Sequence, residues 1–149
     1  MSVRIRPVEA GDRQQWQVLY DGYQLYYERP DQPQAFFDQA FARLLSGDPR
    51  DFHGLVAEED SRLLGLTHYV FHPNLWRPEG VCYLQDLYTI PEARGRGVGR
   101  ALIEAVYAAA DAAAVPAVYW LTQEFNYAGR MLYDRVAVKS PFIRYNRAP

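Results

Sequence analysis

"LYTIPEARGRGVGRALIEAV", residues 87–106, decides how the rest of the chain is read. Its first four residues suit a β-strand, Pro91 stops that strand, and from Val98 onward apolar residues recur at helical spacing. Between strand and helix, glycines at 95, 97 and 99 alternate with arginines at 94 and 96, and Arg100 follows. The first turn of a helix leaves backbone N–H groups without partners and carries the positive end of the helix dipole. Glycines let a bulky ligand approach those amides and the arginines add charge, so the segment is predicted to bind an anion the size of a diphosphate. The Gly-Lys-Ser/Thr ending of a P-loop is absent, and the even glycine spacing differs from the Gly-x-Gly-x-x-Gly of dinucleotide-binding turns. About two strands remain after the motif, too few to complete a doubly wound nucleotide domain.

Working outward, "SVRIRPV" reads as a short strand. A helical stretch opening at Gly11-Asp12 carries Trp16, Leu19, Tyr20, Tyr23 and Tyr27, and "PQAFFDQAFARLL" is a second. "FHGLVAEE", "RLLGLTHYVFH" and "GVCYLQDLYTI" are three strand-like runs, the first two joined by the turn Glu59-Asp60-Ser61. Beyond the Gly-Arg loop, Val98, Leu102, Ala105 or Val106, Ala109 and Ala113 mark a helix that Pro116 ends. "AVYWLT" then reads as a strand, "FNYAGRMLYDRV" as a helix and "PFIRYN" as a last strand. The expected fold is α/β: a mixed, mostly antiparallel sheet of six to seven strands with about four helices on its faces.

Bulk properties set the outer limits. The 149 residues, 49% of them apolar, with a formal net charge of −2, suit one domain spanning 1–149 and argue against general nucleic-acid binding. No apolar run is long enough to span a membrane, the start lacks the apolar middle of a signal peptide, and Cys82 is the lone cysteine, so a cytoplasmic location is expected.

Two further features carry chemistry. In "FNYAGRMLYDRV", Phe125, Ala128, Leu132 and Val136 form an apolar stripe, whereas Asn126, Gly129 and Tyr133 fall on a separate face at spacings of three and four. Tyr133 is therefore placed to project a phenol, an acid of pKa about 10. Asp86 stands in the middle of an apolar strand, where an ionisable group is costly unless it acts as a base or holds a structural partner. His68 and His72 share a strand face, but two histidines without further ligands give no metal site.

"LQDLYTIPEARGRGVGRALIEAVY" (84–107) resembles the acyl-CoA-binding signature of the GCN-five-related N-acetyltransferases, the GNAT superfamily. "NYAGRMLYDRV" (126–136) resembles their second motif, Asn-x-x-Ala-x-x-Leu-Tyr, with Gly129 in place of the usual Ala. "VYWLTQEFN" and "LYDRVAVKSPFIRY" are similar to the small Hpa-type histone and polyamine acetyltransferases and their bacterial relatives. The resemblance implies the GNAT fold, with the fourth and fifth strands splayed to admit acetyl-CoA as cosubstrate, and direct transfer without a metal. By position, Arg94, Gly95, Arg96, Gly97, Val98, Gly99 and Arg100 would hold the pyrophosphate. Leu87 and Thr89 would offer backbone groups to the pantetheine and the thioester carbonyl, next to a bulge. Asn126 would contact the pantetheine, and Tyr133 would stand by the sulfur and protonate the departing thiolate.

Deprotonation of the acceptor falls first to Asp86, with Glu124 at the end of the fifth strand and His68 as alternatives. The implied acceptors are polyamines, amino acids, small amines or basic protein tails. Tyr23, Tyr26, Tyr27 and Glu28 on the early helices suit a cationic amine. An alternative function is a non-catalytic acyl-CoA-binding or sensor module. The apolar "PFIRY" strand implies a homodimer.

Overall fold

Sheet, helices and loops were described for residues 2–149 in a computed structural model. The strands are β1 (Arg4–Pro7), β2 (His53–Glu59), β3 (Arg62–Asn74), β4 (Arg77–Thr89) and β5 (Val118–Tyr119). They form a single sheet in the order β1-β2-β3-β4-β5. The α-helices are α1 (Arg13–Tyr26), α2 (Gln34–Leu44), α3 (Val98–Ala112) and α4 (Tyr127–Val136). Pairing is antiparallel from β1 to β4 and parallel between β4 and β5. This is the mixed α/β architecture expected from the sequence.

Local chemistry sets the connections. Asp60 and Ser61 both take positive φ, which bends β2 into β3 in two residues with the twist a hairpin needs. Arg6 on β1 donates from both Nη atoms to the Asp12 carboxylate at 2.8 Å and from Nη2 to Glu58 at 2.8 Å. That fork ties β1, β2 and the start of α1 together.

The core lies on both faces of the sheet. On one, Trp16, Leu19 and Tyr20 of α1 and Phe37 and Phe41 of α2 are buried. On the other, α3 buries Val98, Leu102, Ile103, Val106 and Ala110, a stripe rotated slightly from the expected one. α3 crosses β3 at Gly65, where a Cβ would stand 2.8 Å from the Tyr88 carbonyl oxygen and 3.1 Å from Val98.

Two expectations fail at the end of the chain. The sheet has five strands rather than six to seven, because "AVYWLT" pairs over only two residues and "PFIRYN" does not pair at all. β5 matches Cys82 to Val118 and Tyr83 to Tyr119, and the chain then leaves the sheet. A strand needs a neighbouring edge for its N–H and C=O groups, and within one chain residues 141–146 find none. Phe142 and Ile143 are left 76% and 77% exposed.

Candidate active site

The early departure of β5 creates the site. Beyond Tyr83, β4 runs on to Thr89 with no strand on that side, so the two strands part. Ile90 N–H donates to the Leu64 carbonyl across β3 at 2.9 Å. Ladder alternation therefore turns the backbone N–H and C=O groups of Thr89 and Leu87 to the open edge. The Thr89 carbonyl accepts from Arg94 Nε at 3.1 Å, which leaves the Leu87 and Thr89 N–H groups as that edge's donors.

A bulge interrupts β4 just before this point. His68 faces Asp86 and Tyr69 faces Leu84, so Gln85 is the extra residue, and Gln85 and Asp86 both turn toward α1 and α2. The bulge expected near Leu87 is thus found at Gln85.

At the far end of the open edge stands the Gly-Arg loop. Gly95 and Gly97 have φ of 78° and 81°, and nothing lies within 4 Å of where their Cβ atoms would be, so the backbone is bare to an approaching ligand. Among the described residues, the N–H groups from Gly95 to Arg100 donate to no protein acceptor. They converge at the N-terminus of α3 as an anion cradle. Val98 contributes only backbone, since its side chain is buried. A Cβ on Gly99 would sit 3.4 Å from Leu132 of α4 and 3.9 Å from Thr89 Oγ1, so loop, strand end and α4 meet there.

The arginines are more occupied than their spacing suggests. Arg96 is paired with Glu59 at 2.5 Å and Arg100 with Glu104 at 2.8 Å, while Arg94 lies over the Tyr88 ring. A cavity of about 290 Å³ beside Arg96 is lined by Glu59, Asp60, Arg62, Glu92 and Arg96, and both arginines are already paired there, Arg96 with Glu59 and Arg62 with Glu92. The amide cradle, rather than that cavity, has the unpaired donors that an anion takes.

Asp86 is the centre of a buried polar cluster. Its Oδ2 accepts from the Tyr20 hydroxyl at 2.9 Å and lies 2.8 Å from His68 Nδ1. Trp16 Nε1–H donates to His68 Nε2 at 3.0 Å. That bond makes Nε2 the acceptor, so the proton sits on Nδ1 and points at Asp86, and His68 is neutral. Burial by itself pushes the Asp86 carboxyl up, but the hydrogen bond and electrostatic pull of His68, with the Tyr20 hydroxyl, hold the group below the usual carboxylate range. The result is a buried carboxylate hydrogen-bonded to a phenol and an imidazole, with no lysine or arginine paired to it among the described residues. Tyr20 stacks between Tyr23 and Phe36, and Tyr23 continues to Tyr27, an aromatic wall above the carboxylate.

α4 supplies the remaining residues. Tyr133 is half-buried and meets Trp120 edge-on at 5.4 Å. Burial, with Tyr27 and Tyr26 nearby, pushes its phenol up to about 12, so it stays a proton donor through the neutral range. Asn126 is the N-cap of α4: its Oδ1 accepts from Gly129 N–H at 3.2 Å and its Nδ2 donates to Thr122 at 3.0 Å. The departure from Ala at 129 has a reason here, because a Cβ would lie 2.5 Å from Asn126 Nδ2. Glu124 lies exposed in the turn before α4, not at a strand end, because β5 stops at Tyr119. Phe125, expected in the apolar stripe, is also outside the helix and exposed.

This layout, an amide cradle at a helix start joined by an open strand edge to a buried acid and a phenol, coincides with a known family. The Acetyltransferase (GNAT) family profile matches residues 16–137. The chain belongs to the GNAT acetyltransferases. This acetyltransferase is 35% identical over 144 residues to D-amino-acid N-acetyltransferase HPA3 of Saccharomyces cerevisiae, covering 96% of this chain and 89% of the yeast protein. Its fold superimposes on that of ribosomal-protein-alanine N-acetyltransferase from Brucella melitensis biovar Abortus 2308 with a TM-score of 0.80, at 21% identity over 99% of both chains. It also matches AAC(6')-Iy, solved in complex with the bisubstrate analogue CoA-S-monomethyl-acetylneamine, with a TM-score of 0.85 at 17% identity over 100% of this chain and 99% of that one.

The protein is thus an acetyl-CoA-dependent N-acetyltransferase. The cradle fits that cosubstrate: its free amides and bare glycines offer what a diphosphate takes. Trp16, Tyr20 and Gln85 escaped the sequence reading. Their apolar or strand positions hid the bulge and the chain of donors behind it, the Tyr20 phenol on Asp86 and the Trp16 indole on His68.

Proposed function

We propose that this acetyltransferase moves an acetyl group to the primary amine of a small molecule by direct transfer. The observation that carries the reading is the juxtaposition of the open β4 edge with the buried Asp86 carboxylate one residue away. In this reading the amides of residues 95–100 hold the pyrophosphate, and Leu87 and Thr89 N–H groups line the pantetheine, one of them stabilising charge that develops on the thioester oxygen. Asp86, ionised in the resting enzyme, draws the acceptor ammonium and takes its proton. Its depressed pKa means that it holds the proton briefly and passes it on. The nitrogen then bonds to the acetyl carbon, the carbon–sulfur bond breaks, and Tyr133 gives the sulfur its proton, regained from the nitrogen as the amide forms. Asn126 borders the pantetheine while capping α4. Glu124, exposed near the same mouth, is the alternative proton acceptor.

The 35% identity to a D-amino-acid N-acetyltransferase supports an amino acid as the acceptor. A panel of amines incubated with acetyl-CoA and followed by thiol release and mass spectrometry tests this reading. Acetylated product is expected, and its absence across polyamines, amino acids and basic peptides refutes it.

A cytoplasmic homodimer belongs to the same proposal. Val138, Phe142, Ile143 and Tyr145 are exposed along the tail, and a second copy would cover them. Light scattering should give twice the chain mass, and a monomer for Phe142→Asp.

A further inference from the structure

Outside the cofactor cradle lies a cavity of about 210 Å³ between α2 and the β4 bulge, and its lining is chemically two-sided. The strand side brings Asp86, His68 and Gln85, and α1 adds Tyr20. The helix side brings Arg43 together with the apolar Phe36 and Leu44, and Phe52 follows from the loop before β2. Arg43 Nε–H donates to Asp51 at 2.8 Å, and its guanidinium lies 5.1 Å over the Phe52 ring. Its two Nη groups find no acceptor among the described residues. A guanidinium clamped at Nε and stacked on a ring presents its remaining N–H groups as a fixed fork, the geometry that takes a carboxylate.

The opposite charge is equally incomplete. Asp86 accepts from the Tyr20 hydroxyl and from the Nδ1–H of a neutral imidazole, so among the described residues its negative charge has no lysine or arginine partner. One small cavity therefore joins an uncompensated anion to a half-satisfied cation. We propose that this cavity selects an α-amino acid as acceptor, with the ammonium turned to Asp86, the carboxylate on the Arg43 Nη groups, and the side chain against Phe36, Leu44 and Phe52. The proposal rests on the N-acetyltransferase reading above and narrows its substrate. A polyamine is disfavoured because its second ammonium would face Arg43. A peptide tail is disfavoured because the volume is below the roughly 300 Å³ at which pockets for drug-sized ligands begin.

The test is steady-state kinetics on matched pairs: phenylalanine, leucine and methionine, each as both enantiomers, against the amines that lack only the carboxylate, namely phenethylamine, isopentylamine and 3-(methylthio)propylamine. The wild type should prefer the amino acids. Arg43→Gln should raise KM for the amino acids about tenfold to a hundredfold, as expected for loss of a charge-assisted pair, and leave KM for the matched amines unchanged. Arg43→Lys should fall between, and both variants should keep wild-type affinity for acetyl-CoA by calorimetry, which separates a lost subsite from a lost fold. Equal KM changes for amino acid and amine, or none for either, overturn the proposal. A wild type that acetylates the amines but not the amino acids also overturns it and leaves the transferase reading standing. Acetyl-CoA binding without acetylation of any amine removes both.

Discussion

Two regions of this molecule present charge by opposite means. The loop at the start of α3 is exposed, made of backbone, and positive through unpaired amides that a ligand must complete. The Asp86 cluster is buried, made of side chains, and negative, with every buried side-chain polar atom among the described residues already hydrogen-bonded. A backbone site depends on conformation and tolerates most side-chain changes away from its glycines. A side-chain cluster depends on each donor and fails when one is removed. The expected consequences of substitution separate the two regions accordingly.

The largest effect is expected at Asp86. Asp86→Asn keeps the shape but removes the charge that the Tyr20 phenol and His68 converge on, and kcat/KM should fall about a hundredfold or more, the range of a lost acid–base group. Thermal melting should drop by several degrees, since a buried network of this kind is worth a few kcal/mol. Stability against pH sharpens the point. The Asp12 and Asp86 carboxyls are held below their ordinary value of 3.8, Asp12 chiefly by hydrogen bonds from Arg6. Both contribute stability above about pH 4, lost as pH falls through the lower native values. Acid unfolding followed by circular dichroism should show a shallower dependence in Asp86→Asn than in the wild type.

Next is Tyr133→Phe, for which kcat should fall about a hundredfold with acetyl-CoA affinity retained. Since this phenol is pushed up to about 12, the wild-type rate should not decline on its account below about pH 11. An alkaline limb near pH 10 assignable to Tyr133 would break that assignment.

A smaller loss is expected at Gly97, whose φ of 81° penalises any side chain. Gly97→Ala should weaken acetyl-CoA binding about tenfold, the strain of one residue forced into the left-handed region. Smallest of all are Arg96→Ala and Arg100→Ala. Both guanidiniums are paired with glutamates, and calorimetry should show changes of threefold or less. A large effect at either arginine would reverse the contrast and make side chains the cradle's main source of affinity.

The cradle was legible in the sequence because its signal is local. Strand residues, Pro91, alternating glycines and a patterned helix are adjacent in the chain, and their chemistry follows from backbone geometry over about ten residues. The helices α1, α2 and α3 and the strands β1 to β4 were legible for the same reason, each carrying its own period and its own stop. The Asp86 cluster was not. Asp86 stood out as a charge in an apolar strand, but Tyr20 and His68 reach it from 66 and 18 residues away, Trp16 reaches His68 from 52, and nothing local announces that they meet.

The end of the chain shows the converse. "PFIRYN" has strand composition, yet pairing requires an edge, and the edge is a property of the whole sheet. What the sequence determined by itself was the element order from β1 to α4, the bare glycine loop at the start of α3 and the family, because these rest on neighbours in the chain. Tertiary structure alone decided three things: where β5 leaves β4, that the Gln85 bulge turns Asp86 inward, and that the indole of Trp16 fixes the His68 tautomer. Those outcomes depend on which distant groups remain unpaired once the sheet is assembled.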